Sequence, residues 1–212
     1  MDNNCFSGLL YSIHTVKDAV QIAATGRLFL ALDRAGRVHV RRYLWERFYF
    51  PDQPDYCRQQ IDTIESWRDI RRILLAEPDT VIAQKNSGEL VYAGSGQDLF
   101  GTFGEASFRQ LQDREIVGAC SYCGGESYYF VFLDADGILH SRRWQEERRF
   151  RQVVGLDHAF LGLTTDGQVV SFQGPLEESA ENWPRMKQIA IGRRSFDSYD
   201  DLFLAGLRDD EA

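Results

Sequence analysis

Three groups of residues have types and spacings that chemistry uses. Cys120-Ser121-Tyr122-Cys123 is a Cys-x-x-Cys followed by glycines. Such a pair forms half of a zinc site or a redox dithiol. A zinc site needs a second pair, and Cys5 and Cys57 are not spaced as one. A redox dithiol belongs at a helix start in a βαβ setting, which the flanking pattern does not offer. His39 and His140 each fall three residues after a glycine, at equivalent places in two repeats. Two imidazoles on one face would ligate a metal, but the other copies carry Tyr11, Val91 and Val170, and no carboxylate column accompanies them. No metal and no cofactor is expected. Gly-x-Ser-x-Gly, His-Glu-x-x-His and Gly-x-x-x-x-Gly-Lys are absent. No catalytic residue is therefore assigned, and the chain is read as a non-enzyme.

The third group is arginine beside aromatic rings. Of the 24 cations, 21 are arginine, although the formal net charge is −8. Arg41-Arg42 and Arg142-Arg143 stand five and six residues after their glycines, and the stretch Tyr43-Leu44-Trp45-Glu46-Arg47-Phe48-Tyr49-Phe50 packs five aromatics into eight residues. Arginine and large aromatics are favoured at the centres of protein interfaces. The partner-binding candidates are Arg42, Tyr43, Trp45, Arg47, Tyr49, Arg142, Arg143 and Trp144. Balanced against them is the reading of solvated strand ends, with Glu46, Glu146 and Glu147 alongside. Tyr122, Tyr128 and Tyr129 with Trp144 read as strand and core.

These residues hang on a repeat. Phe29-Leu30-Ala31-Leu32-Asp33-Arg34-Ala35-Gly36-Arg37-Val38 recurs in degraded form. The turn pairs are Ser7-Gly8, Ala35-Gly36, Ser87-Gly88, Asp136-Gly137 and Asp166-Gly167, each followed by an apolar run and, after the first, preceded by one. That is the pattern of a β-hairpin. A third short apolar column precedes each hairpin, as in 16–22, 67–73, 113–119, 150–155 and 183–189, and predicts one more strand per unit. Ala31, Ala83 and Gly162, five residues before their glycines, suggest close backbone approach, as near a crowded axis; Phe132 breaks the column. Leu202-Phe203-Leu204-Ala205-Gly206 begins a last hairpin whose second run is supplied by Gly8-Leu9-Leu10-Tyr11 at the other end of the chain. The reading is an all-β propeller of about five blades, each roughly 40 residues, closed by pairing of its N-terminal and C-terminal strands. Inserts at 44–63 and 97–112 are expected as loops on one face. Residues 1–212 are read as one domain.

Composition narrows the partners. The acidic balance disfavours broad nucleic-acid binding. No apolar stretch is long enough for a transmembrane helix, and the first residues lack the marks of a secretion signal. With few cysteines, a reducing cytoplasmic location is expected. A monomer is expected.

The columns resemble the repeats of the regulator-of-chromosome-condensation family, which read roughly Gly-x-x-His-x-x-Ala-Leu-x-x-Asp-Gly-x-Val-x-x-Trp-Gly. Gly155-Leu156-Asp157-His158-Ala159-Phe160-Leu161 through Asp166-Gly167-Gln168-Val169 matches best; Val91-Tyr92-Ala93-Gly94 through Gly101 is similar to the repeat tail; Trp67-Arg68-Asp69-Ile70 and Trp183 fit the bacterial variant. The copies depart from that pattern in lacking the tryptophan of the Trp-Gly pair, and the family's usual ring has seven blades. The resemblance implies a binding platform, and a packed, hydrogen-bonded role for His158. The founding member's nucleotide-exchange residues sit on loops with no counterpart here, so none is carried over. Function is read as a protein-interaction scaffold. A carbohydrate-binding propeller is the alternative, disfavoured because loop residues differ between copies; an enzyme with a central pocket ranks below both, because the inner columns are apolar or small.

Overall fold

The computed structural model describes residues 16–25, 28–42, 56–76, 80–94, 99–123, 127–156, 158–173, 182–193 and 202–208. They form β1 (Ala19–Ala24), β2 (Leu28–Asp33), β3 (Val38–Arg42), α1 (Tyr56–Ser66), β4 (Ile70–Ala76), β5 (Thr80–Lys85) and β6 (Leu90–Gly94). A π-helical turn (Leu99–Phe103) and α2 (Glu105–Gln110) follow, then β7 (Ile116–Cys123), β8 (Tyr128–Asp134), β9 (Leu139–His140), β10 (Phe150–Leu156), β11 (Ala159–Thr164), β12 (Val169–Gln173), β13 (Met186–Arg193) and β14 (Leu202–Arg208). Consecutive strands pair antiparallel into sheets β1-β2-β3, β4-β5-β6, β7-β8-β9, β10-β11-β12 and the two-stranded β13-β14. The extra strand per unit and the hairpins are therefore as expected. The proposed closing strand falls on residues 8–12, outside the described residues. The chain divides into two compact units, 1–96 and 97–212.

The middle strand of each three-stranded sheet is the most apolar because both of its faces are covered; all six residues of β11 are buried. Each first strand carries a bulge at the same place, between Ala19 and Gln21, Ile70 and Arg72, Ile116 and Gly118, Phe150 and Gln152, and Met186 and Gln188, and β4 has a second register shift between Ile73 and Leu75. A bulge adds a residue to one strand and re-aims the side chain after it. In β1 that side chain is Gln21, whose Nε2 donates to the Ile73 carbonyl (2.7 Å) and whose Oε1 accepts from the Ile73 N–H (2.8 Å) in the next sheet. Gln152 repeats the device on Ile189 at 2.7 and 2.9 Å. Gln152→Ala leaves a buried backbone pair without partners, and should lower stability by about 2 kcal/mol, measured by chemical denaturation.

The turn glycines do two jobs. Gly36 and Gly137 take φ of 76° and 79°, where a side chain is strained. Their carbonyls also accept from the next sheet, from Ile70 N–H and Phe150 N–H (both 2.9 Å). A Cβ on Gly137 would stand 2.8 Å from the Phe150 carbonyl oxygen.

One expectation is corrected. Among the described residues the inserts are mainly helical and not loops. Segment 44–63 contributes most of α1, which packs on β3 and β6, with Gln60 Nε2 donating to the Ala93 carbonyl at 3.3 Å. Segment 97–112 folds into the π turn and α2, burying Leu99, Phe103, Phe108 and Leu111. Apolar spacing inside both inserts drives this, since a lone loop would leave those side chains in water. At Gly162 the small-residue column answers to a neighbouring ring. A Cβ on Gly162 would meet the Phe150 ring at 2.6 Å, so glycine there admits a ring from within its own sheet. Phe132 is tolerated in that column because Phe103 and Phe108 pack edge-on to it, with centroids at 4.9 and 6.0 Å.

Candidate functional site

Ser141 ends the third hairpin, and its Oγ accepts from the Arg143 and Trp144 N–H groups at 3.2 and 3.4 Å. That turn splays the three predicted residues apart. Trp144 folds inward, its Nε1 donating to the Tyr122 hydroxyl at 2.9 Å. Tyr122 is fully buried, and burial pushes its phenol up despite the bond from Trp144. Tyr122 stacks on Tyr129 and Phe160 (both 5.5 Å), and Phe160 on Phe172 (4.6 Å). Of the aromatic group read as strand and core, Tyr122 is core and Tyr129 and Trp144 pack against it, whereas Tyr128 is 42% exposed. Arg143 caps that cluster, its guanidinium 5.3 Å from the Tyr129 ring centre and 5.4 Å from that of Trp144. Such stacking holds a cation at an exposed rim.

Arg142 turns the other way, into a groove of about 360 Å³. Its walls are the insert (Phe103, Ser107, Gln110, Leu111) and the segment from His140 to Glu146. Two cations reach it. Arg114 Nη1 lies 3.4 Å from Asp134, and Arg142 is exposed with no ion pair to a described residue. The one carboxylate on the wall, Glu146, is occupied. Arg148 grips it at 2.9 and 2.5 Å, and those bonds hold its carboxyl below the usual range. With Arg114 facing Asp134 and Arg148 facing Glu146, Arg142 is the lining charge with no ion pair to a described residue, and it suits a carboxylate or carbonyl presented from outside.

His140 is a wall residue, but its imidazole has another task. Its Nε2 donates to Asp134 at 2.8 Å, as His39 does to Asp33 at 2.9 Å. The two carboxylates, 2% and 5% exposed, also accept the backbone N–H groups that close their turns. The paired histidines thus lock hairpins. Burial pushes the Asp33 carboxyl up, but the bonds from His39 and Arg37 outweigh it and hold it at about 2 against an ordinary 3.8. His158 Nδ1 donates to the Cys123 carbonyl at 3.0 Å, the packed role that the repeat pattern implied. Cys120 and Cys123 lie within β7, where residues three apart point to opposite faces. They cannot act together on one ligand.

Of the predicted contact residues, Arg142, Arg143 and Trp144 form one rim. Arg42 ends β3. Tyr43, Trp45, Arg47 and Tyr49 lie outside the described residues. Sequence reading missed Arg114, Ser107 and Gln110; the only signal was that the 97–112 insert interrupts the repeat.

No family model and no curated protein matches this sequence. Solved structures do match. Prp20p from Saccharomyces cerevisiae, studied for its binding to Gsp1p and histones, is 16% identical with a TM-score of 0.52, over 78% of this chain and 48% of that one. Yeast RCC1 (Prp20) bound to Kap60 is 17% identical with a TM-score of 0.51, over 76% and 47%. The CRINKLY WD40 ectodomain of the Arabidopsis thaliana receptor kinase ACR4 is 9% identical with a TM-score of 0.53, over 81% and 55%. The chain spans about half the length of these structures. The fold is that of an all-β, RCC1-type propeller repeat. Among the described residues no helix is long and apolar enough to cross a membrane.

Proposed function

We propose that this chain is a protein-interaction module that grips an acidic segment of its partner along the Arg142 groove. The observation that carries the reading is the splayed Arg142-Arg143-Trp144 turn. One arginine lines the groove, the other stands over two rings, and the tryptophan is locked from beneath. Pre-set side chains bind with less ordering cost than free ones. Support comes from the fold as well: Prp20p, whose structure is similar, was studied for its binding to Gsp1p and histones and was solved bound to Kap60. The arrangement offers positioning and charge; the Ser141 hydroxyl is taken up by the Arg143 and Trp144 N–H groups and the His140–Asp134 pair by its hairpin turn, so binding and not turnover is proposed.

The test is affinity capture with the intact chain, followed by titration of each purified partner. Arg142→Glu reverses the charge at an exposed position, so it should weaken binding by about 2 kcal/mol or more while leaving the melting temperature unchanged. Partners that bind Arg142→Glu as tightly as the parent chain would sink the reading. Rising salt should weaken parent binding, because the attraction is between exposed charges.

A further inference from the structure

The groove beside Arg142 holds one carboxylate of its own, and that group is kept from the arginine. Glu146 and Arg142 both line the groove, yet Glu146 pairs with Arg148, which does not line it. Arg148 holds Glu146 three ways: by Nε at 2.9 Å, by Nη2 at 2.5 Å and by its backbone N–H at 3.1 Å. The Glu146 side chain is only 15% exposed. A carboxylate that sheltered needs a cation, and without Arg148 the cation on the same wall is Arg142.

With Glu146 taken up, the Arg142 guanidinium reaches the opposite wall. A Cβ on Gly104, the residue before α2, would stand 4.0 Å from Arg142 Nη1 and 3.8 Å from Ser107 Oγ. No other described atom outside the two chain neighbours comes within 4 Å of that point. A guanidinium and a hydroxyl thus converge on one place, and together they can donate to the two oxygens of one carboxylate. One guanidinium answers one negative charge. The second charge of a phosphate would find no cation, because Arg114 already faces Asp134.

We propose that an acidic residue of the partner places its carboxylate between Arg142 and Ser107, above Gly104, and that Arg148 keeps Glu146 from filling this seat. The inference rests on the binding reading above. It makes Arg148 a positioning residue, which acts through Glu146 and not by touching the partner.

The test titrates the intact chain with the capped peptide acetyl-Gly-Glu-Gly-Glu-Gly-amide and follows the Gly104 and Ser107 amides and the Arg142 Nε–H by NMR. These signals should move with that peptide and stay still with its glutamine counterpart. Arg148→Ala should weaken binding about fivefold, as expected for a competing, partly exposed ion pair. Adding Glu146→Gln to it removes the competitor and should restore the parent affinity. Arg149→Ala makes the same charge change on the exposed neighbour and should stay within about twofold. Ser107→Asp fills the seat from within and should weaken binding about tenfold, whereas the uncharged Ser107→Asn should stay within about threefold. Arg148→Ala, alone or with Glu146→Gln, should melt with the parent. Four results would each overturn the assignment: silence of all three signals at millimolar peptide, parent-like binding by Arg148→Ala, a loss that Glu146→Gln does not restore, or tighter binding of the phosphoserine peptide. Arg142→Glu separates the two levels. Peptide binding indifferent to it sinks the binding reading itself; binding lost in Arg142→Glu but kept in Arg148→Ala and Ser107→Asp sinks the seat alone.

Discussion

Gly155→Ala should destabilise the chain by about 3 kcal/mol, the upper range for overpacking. In a protein of this size that lowers the melting temperature by roughly 6–12 °C. Gly155 sits in β10 where it crosses β7, and an added Cβ would fall inside the envelope of the Ser121 carbonyl oxygen. It would also stand 3.1 Å from the Ser121 carbonyl carbon and 3.2 Å from Cys120 Sγ. Most of that obstacle is backbone, so rotation of a side chain cannot relieve it. The strands must separate, and the Tyr122-Phe160 stack beside them must loosen. Gly101→Ala is the matched control, with nothing within 4 Å of its Cβ. Equal melting temperatures for the two variants, read by calorimetry, would show that β7 and β10 do not meet at that crossing.

Asp134→Ala should cost about 3 kcal/mol. The carboxylate is 2% exposed and accepts from Asp136 N–H (3.1 Å), Ile138 N–H (2.9 Å) and His140 Nε2 (2.8 Å). Removing it strands these donors, and stranded buried donors cost more than a hydrogen bond gains. Asp134→Asn retains one acceptor oxygen and should cost about 1 kcal/mol. The same carboxylates set the acid limit of the fold. Burial raises the Asp134 carboxyl, but the bonds from His140 and the turn amides outweigh it, and its value is lowered; Asp33 is held at about 2. When the folded value lies below the unfolded one, the unfolded chain binds more protons between the two. Stability from Asp33 is therefore complete above its ordinary value of 3.8 and drains away as pH falls toward about 2. Acid titration of the melting temperature should show that decline, and it should be shallower in Asp33→Asn. An identical acid limb in both proteins would remove Asp33 as its cause.

The asymmetry between the two hairpin locks and the Arg142 rim explains why one was easier to read than the other. Asp33 and His39, like Asp134 and His140, are six residues apart around a turn. Their meeting is a consequence of hairpin geometry, although the sequence reading set the histidines against a metal and overlooked the aspartates. The groove joins Ser107 and Gln110 on α2 to Arg142 beyond β9, and no periodicity connects them. Arginine-aromatic composition pointed to the right turn but not to the direction of any side chain.

What the chain's order of residues determines alone is local: the hairpins, the preceding strand, the turn glycines and the recurring RCC1-like pattern. Each depends on alternation and on backbone torsions within a dozen residues. Tertiary structure decided the rest. Helices replaced the expected loops because Leu99, Phe103 and Phe108 needed apolar cover. Arg142 and Arg143 parted because the Ser141 turn and the Trp144 anchor aim neighbouring side chains oppositely. Gln21 and Gln152 became clasps because the next sheet brings an isoleucine backbone within reach. That is a property of packing, which the residues of one strand cannot reveal.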